Sequence, residues 1–133
     1  MFNAESQPGF KTHEQKTKQT GKFSFGRRPT LDVEATPMGT YQAIVYRAIG
    51  EQWYRQCDLN RDLIVTGTVR IRILINKNGK VSSMRQTSRV GASEVQKSFT
   101  FLAIKLARLP AMPPEVRNAL VGDSLEMYFD FNF

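Results

Sequence analysis

The last nine residues of the sequence alternate without a break: Leu125, Met127, Phe129, Phe131 and Phe133 fall on one side, Glu126, Tyr128, Asp130 and Asn132 on the other. A period of two is that of a strand with one buried face, so residues 125–133 are predicted as the final strand. Further upstream the period changes. Tyr41, Ile44, Val45, Ala48, Ile49 and Trp53 recur at helical spacing. With Pro37 and Gly39 as the boundary and Thr40 as N-cap, they predict a first helix over residues 41–55 or 41–56. Tyr41 and Trp53 fall on or beside its apolar stripe and read as core anchors.

Alternation returns over residues 63–76, where Val69, Ile71, Ile73 and Ile75 are separated by Arg70, Arg72 and Leu74. Asn78 and Gly79 then mark a tight reversal, because glycine tolerates positive φ and asparagine visits that region readily. A second strand is predicted over residues 80–88. Two registers compete. A two-residue turn sets Ile73 opposite Met84 and Arg72 against Arg85, a like-charge pair; a three-residue turn with a bulge matches Ile75 to Val81 and is preferred. Ser93 and Gln96 have the spacing of a capping box, and Val95, Phe99, Leu102, Leu106 and Leu109 follow every three to four residues, which predicts a second helix over residues 94–108. Pro110, Pro113 and Pro114 end it. Residues 109–114 could also pass for a proline-rich ligand, but a stop that returns the chain to the sheet is the simpler reading.

These elements give an α+β fold of connectivity α-β-β-α-β. Strand 3 runs antiparallel to strand 1, so a three-stranded antiparallel sheet of order 2-1-3 satisfies every neighbour with a right-handed crossover, and two helices pack on one face. Strand 3 is then an edge, with one row of N–H and C=O groups unpaired. Only Glu126 and Asp130 guard it.

Composition sharpens this picture in two places. Residues 1–35 are rich in Gln, Lys, Thr, Ser and Gly with scattered Phe2, Phe10, Phe23 and Phe25 and no sustained period, the character of a flexible linker or tail. Residues 36–133 are the expected folded domain. Lys22, Arg27 and Arg28 beside Phe23 and Phe25 could touch single-stranded nucleic acid, although a solvated linker is the preferred reading. The 133 residues include one cysteine, Cys57, and one histidine, His13, which lies in a polar stretch between Lys11 and Glu14. No histidine-based triad and no cysteine–histidine metal cluster can be built in the folded part, so no enzyme activity, metal or cofactor is expected. The formal charge of +7 admits nucleic acid, anionic surfaces or acidic partners without choosing among them. No apolar run reaches the roughly 20 residues of a membrane span.

A helix with an internal Trp53, the Val-Arg-Ile-Arg-Ile alternation at residues 69–73, the Asn78-Gly79 turn, a serine-containing loop, Pro110, Pro113 and Pro114, then Gly122 and the terminal Phe129, Phe131 and Phe133 follow in one order. That succession resembles the C-terminal periplasmic domain of the TonB/TolA energy-transducer family, especially variants with a longer first helix, over residues 36–133. The family's Ser-Gly pair after strand 2 appears here as Ser88, Arg89, Val90 and Gly91, and the alanine-rich start of helix 2 is replaced by residues 95–99. The resemblance implies a protein transport role. An inner-membrane helix absent from this chain would couple to a proton-driven motor complex. A periplasmic linker would carry the domain to an outer-membrane receptor or Tol-Pal peptide.

The function expected is therefore peptide capture by strand addition. Four to six main-chain hydrogen bonds, each about 1 kcal/mol net, less the peptide's ordering cost, give roughly micromolar affinity. Glu126, Met127, Tyr128, Phe129, Asp130 and Phe131 are the expected partner-binding residues through their backbone, with Tyr128 adding side-chain selectivity. Two rivals remain: a basic nucleic-acid-binding domain using Arg70, Arg72, Arg85 and Arg89, and a homodimer paired through the strand 3 edge.

Overall fold

The structure, a computed structural model, describes residues 20–25 and 35–133. Its first element lies in the stretch read as linker: Thr20–Ser24 forms a strand, β1. There follow the helix α1 (Pro37–Leu59), a 3-10 turn at Arg61–Leu63, the strands β2 (Thr68–Asn76) and β3 (Val81–Val90), the helices α2 (Glu94–Leu106) and α3 (Pro114–Ala119), and the strand β4 (Ser124–Asn132). The class is α+β, as expected, and the expected three strands are present as β3-β2-β4, antiparallel throughout. Among the described residues the sheet nevertheless has four strands and is mixed. β1 pairs in parallel with β4, from Thr20 opposite Tyr128 to Ser24 opposite Asn132. The expected boundary at residue 36 is corrected accordingly, because Thr20–Ser24 supplies partners for backbone groups that would otherwise end the sheet.

α1 begins earlier than periodicity predicts. Thr36, not Thr40, is the N-cap, its Oγ1 accepting from the Gly39 amide at 3.0 Å, and Pro37 sits at the first helical position. Proline is tolerated there because its missing N–H has no intrahelical partner in any case. Tyr41, Val45, Ile49 and Trp53 are buried as the stripe predicted, whereas Ile44 stays exposed.

α2 opens with the expected Ser93–Gln96 capping box. Its buried face, however, is Gln96, Phe99, Thr100, Ala103 and Ile104, and Val95, Leu102 and Leu106 face outward. Polar groups decide this rotation. Trp53 Nε1 donates to Thr100 Oγ1 at 3.0 Å, and Gln96 clamps the strand-entry backbone, its Nε2 donating to Val65 O at 2.8 Å while its Oε1 accepts from Val65 N at 3.2 Å. Buried polar atoms with partners cost little, so two polar residues take the core side.

The hairpin contains both registers considered from the sequence. Ile75 pairs with Val81 next to the turn, and a bulge between Leu74 and Ile75 then brings Ile73 opposite Met84 and Arg72 opposite Arg85. Gly79 has φ 86°, the Asn76 carbonyl accepts from its amide at 2.9 Å, and Asn76 Oδ1 accepts from the amides of Asn78 and Lys80. The residues after α2 dock beneath this turn: Tyr41 OH donates to Pro110 O at 2.7 Å, and the Met112 amide donates to Lys77 O at 3.0 Å. The chain is thereby returned to the sheet through α3, a short helix the sequence did not predict.

Candidate functional site

β4 is read from its hydrogen bonds outward. Phe133 and Gly67 exchange backbone bonds, and Phe131 pairs with Val69, so the odd-numbered residues of β4 turn their N–H and C=O groups toward β2. The even-numbered ones, Ser124, Glu126, Tyr128, Asp130 and Asn132, face the other way. That outer row is not free along its second half: the Phe25 amide donates to Asn132 O at 2.8 Å, and β1 continues alongside to Tyr128. Of the six residues expected to capture a peptide, Met127, Phe129 and Phe131 are committed to β2 and Tyr128 and Asp130 to β1. Glu126 remains, with Ser124 beyond it, on a stretch of the row beside which no described strand lies.

By the same alternation, β1 turns Gly21, Phe23 and Phe25 toward β4 and the backbone of Lys22 and Ser24 outward. Those two carbonyls are met by the long helix. Tyr46 OH donates to Lys22 O, and Tyr54 OH donates to Ser24 O at 3.1 Å. Two tyrosines eight residues apart on α1 thus cap the outer edge of a parallel strand. Midway between them lies Gly50, against which the Phe23 ring packs: a Cβ there would come within 2.8 Å of Phe23 Cε1.

The Phe23 ring is fully buried. It stacks on Tyr46 at 4.4 Å between centroids and on Phe131 at 4.9 Å, with Phe129 and Trp53 at 5.5 and 6.0 Å. Gly21 completes the fit, since a Cβ at that position would fall 2.6 Å from Tyr46 Cδ1 and 2.8 Å from Phe129 Cδ1. A groove made of the outer row of β4 and the Tyr46–Gly50–Tyr54 ladder therefore holds an extended segment of pattern small-x-aromatic-x-aromatic. Alternation of Gly21, Phe23 and Phe25 with Lys22 and Ser24 was the available signal.

No protein-family model and no curated protein matches this chain. Its functional reading therefore rests on the geometry of the molecule.

The open face of the sheet carries the basic residues. Arg70 makes two bonds to Asp130, at 2.5 and 2.9 Å, and Arg72 bonds Glu126, so the two acidic side chains thought to guard the edge instead neutralise the arginines of β2. These contacts also explain how Arg72 tolerates Arg85 opposite. Hydrogen bonds to the carboxylates raise the pKa of both guanidinium groups. Arg89 donates to Ala92 O at 2.8 Å and lies 3.7 Å from Glu94. Three of the four arginines of the nucleic-acid reading are thus engaged locally, and no aromatic platform stands on the open faces of β2 and β3. Among the described residues no cluster of His, Cys, Asp and Glu could hold a metal ion, and no helix is long and apolar enough to cross a membrane.

Burial sets the chemistry of the tyrosine cap. It pushes the Tyr46 hydroxyl up to about 12, with the neighbouring Tyr54 adding to the rise, and it raises Tyr54 as well. Only a neutral phenol can donate to a carbonyl. An unfolded tyrosine releases its proton near pH 10, so between about pH 10 and 12 unfolding releases a proton that the folded state keeps. Stability contributed by Tyr46 is fully present below pH 10 and is expected to fall as pH rises toward 12. The Cys57 thiol, also pushed up to about 12 by burial, adds a fall of the same sign. Denaturation midpoints measured from pH 8 to 11.5 should therefore decline in the natural protein and decline less steeply in Tyr46→Phe; parallel curves would remove Tyr46 from the cap.

Proposed function

We propose that this protein is a non-enzymatic domain that captures an extended peptide by strand addition on the outer row of β4. It would act as the periplasmic C-terminal domain of an energy transducer of the TonB/TolA kind. In that role the partner is a peptide of an outer-membrane receptor or of a Tol-Pal component. The pull originates in an inner-membrane motor complex reached through a membrane helix outside this chain.

The observation that carries the reading is that β4 accepts a parallel strand on this row through main-chain pairing, while the row continues at Glu126 and Ser124. Backbone pairing suits a transducer, because bonds worth about 1 kcal/mol net each form and release readily. The local ion pairs of Arg70, Arg72 and Arg89 weigh against phosphate binding as the primary role.

Titration with an extended peptide from the periplasmic side of an outer-membrane receptor should shift the amides of residues 124–132 and leave the Arg70 and Arg72 side-chain signals unmoved. Affinity should change little between low and physiological salt, and a proline in the middle of the peptide should weaken binding sharply. Binding of DNA or RNA that shifts the arginines and collapses with salt, with no peptide perturbing β4, would replace this reading by the basic-domain one.

A further inference from the structure

The groove on β4 is not an empty shelf; it is filled by a segment of the chain itself, and that segment is chemically specific. We propose, resting on the strand-capture reading above, that Thr20–Ser24 with Phe25 is a resident stand-in for the partner. The captured peptide then runs parallel to β4 and carries a small residue, any residue, an aromatic, any residue and a second aromatic.

Each position of the pattern follows from a contact. The first must be small, because any Cβ at Gly21 meets the rings of Tyr46 and Phe129 under 3 Å. The third must be a flat ring, because the slot is a sandwich of Tyr46 and Phe131, nearly parallel to Phe23 at 12° and 15°, floored by Gly50. The second and fourth side chains point to the open face of the sheet, and Lys22 there is exposed. Their carbonyls are what the protein reads, through Tyr46 and Tyr54. The fifth is an aromatic that Arg61 covers at 5.4 Å, its amide bonded to Asn132 O.

Nothing in this set requires the segment to be covalently joined to α1. β1 is held by one ladder, one buried ring and two carbonyls that accept from Tyr46 and Tyr54, and a separate peptide of the same pattern offers the same backbone, ring and carbonyls. Tethering gives the resident strand the advantage of a high effective concentration, so an outside segment competes poorly until that strand is weakened. An aliphatic or reversed segment would leave the sandwich unfilled or the two tyrosine hydroxyls without acceptors.

The test uses the full chain carrying Phe23→Ala and, as probe, a fluorescent synthetic peptide of residues 18–27. Saturable binding is expected, with amide shifts confined to residues 126–132 and to Tyr46 and Tyr54, and a raised melting temperature of the variant. The natural protein should bind the same peptide at least tenfold more weakly. Peptides carrying Gly21→Val or Phe23→Ala should each lose at least tenfold.

Failure of the peptide to bind a variant that keeps its near-ultraviolet circular dichroism would overturn the proposal, as would equal binding of the Gly21→Val peptide. If the variant does not fold, amide exchange of the natural protein decides: Phe23 and Phe25 exchanging well before Ile73 supports an exchangeable strand, and exchange only with global unfolding overturns it. Dimers that grow with concentration and exclude the peptide would make a second copy the occupant, overturning the proposal. A receptor peptide that shifts β4 while the 18–27 peptide does not sinks only the pattern; if neither binds, the capture reading itself falls.

Discussion

Replacing Phe23 by alanine is expected to cost about 3 kcal/mol of folding stability, at the lower end of the range for a buried phenylalanine truncated to alanine. The ring is fully buried and is sandwiched by Tyr46 and Phe131, so its removal leaves a cavity or lets β1 detach. Detachment limits the loss: once it exceeds what β1 contributes in total, the strand leaves and the three antiparallel strands with their helices carry the fold. Chemical denaturation supplies the magnitude, and amide exchange at residues 20–25 distinguishes cavity from detachment. A loss below about 1 kcal/mol would mean that the ring is not a core anchor at all.

Gly79→Ala should be of similar size, about 3 kcal/mol, for two separable reasons. A left-handed conformation costs a residue with a side chain about 1–2 kcal/mol, and Gly79 sits at φ 86°. Its Cβ would also lie 2.3 Å from Pro110 O and 2.8 Å from Leu109 O, backbone atoms held beneath the turn by Tyr41 and Lys77, which adds overpacking of about 1–3 kcal/mol. Gly122 separates the two. Its φ is 93°, yet nothing lies within 4 Å of a Cβ there, so Gly122→Ala should show the conformational cost alone. Equal losses at the two positions, read from denaturation midpoints, would show that the crowding under the hairpin is not resisted.

The antiparallel core was legible in the sequence because its signals are long and local. Nine alternating residues announce β4, and Ser93 with Gln96 fixes the start of α2. The face of α2 was not legible, since periodicity counts apolar residues and the buried side includes Gln96 and Thr100, whose place depends on Val65 and Trp53 far along the chain. Thr36 was passed over as the cap because Pro37 and Gly39 read as breakers, although proline is at home in a first helical turn.

β1 was missed for a different reason. Five residues in a polar stretch carry almost no periodic weight, and the partners that stabilise them, Tyr46, Tyr54 and β4, are supplied by other elements. The candidate site shows the same divide. The sequence pointed to the outer row of β4 as the place of interest, but whether that row is open depends on a contact that no local pattern encodes. Glu126 and Asp130 were read as guards of an edge, whereas across the strand they balance Arg72 and Arg70.

The pairing of β1 with β4 joins the first and last strands of the described chain, Thr20 beside Tyr128. During synthesis no part of that pairing can exist until Tyr128 and the residues after it have been made, while the β2–β3 hairpin needs only its own neighbours. Closing so long a loop is also the costliest contact in chain entropy and the least local in the sheet. A newborn molecule therefore keeps β1 unplaced until β4 has been made, and the seat on β4 is contested only from that moment.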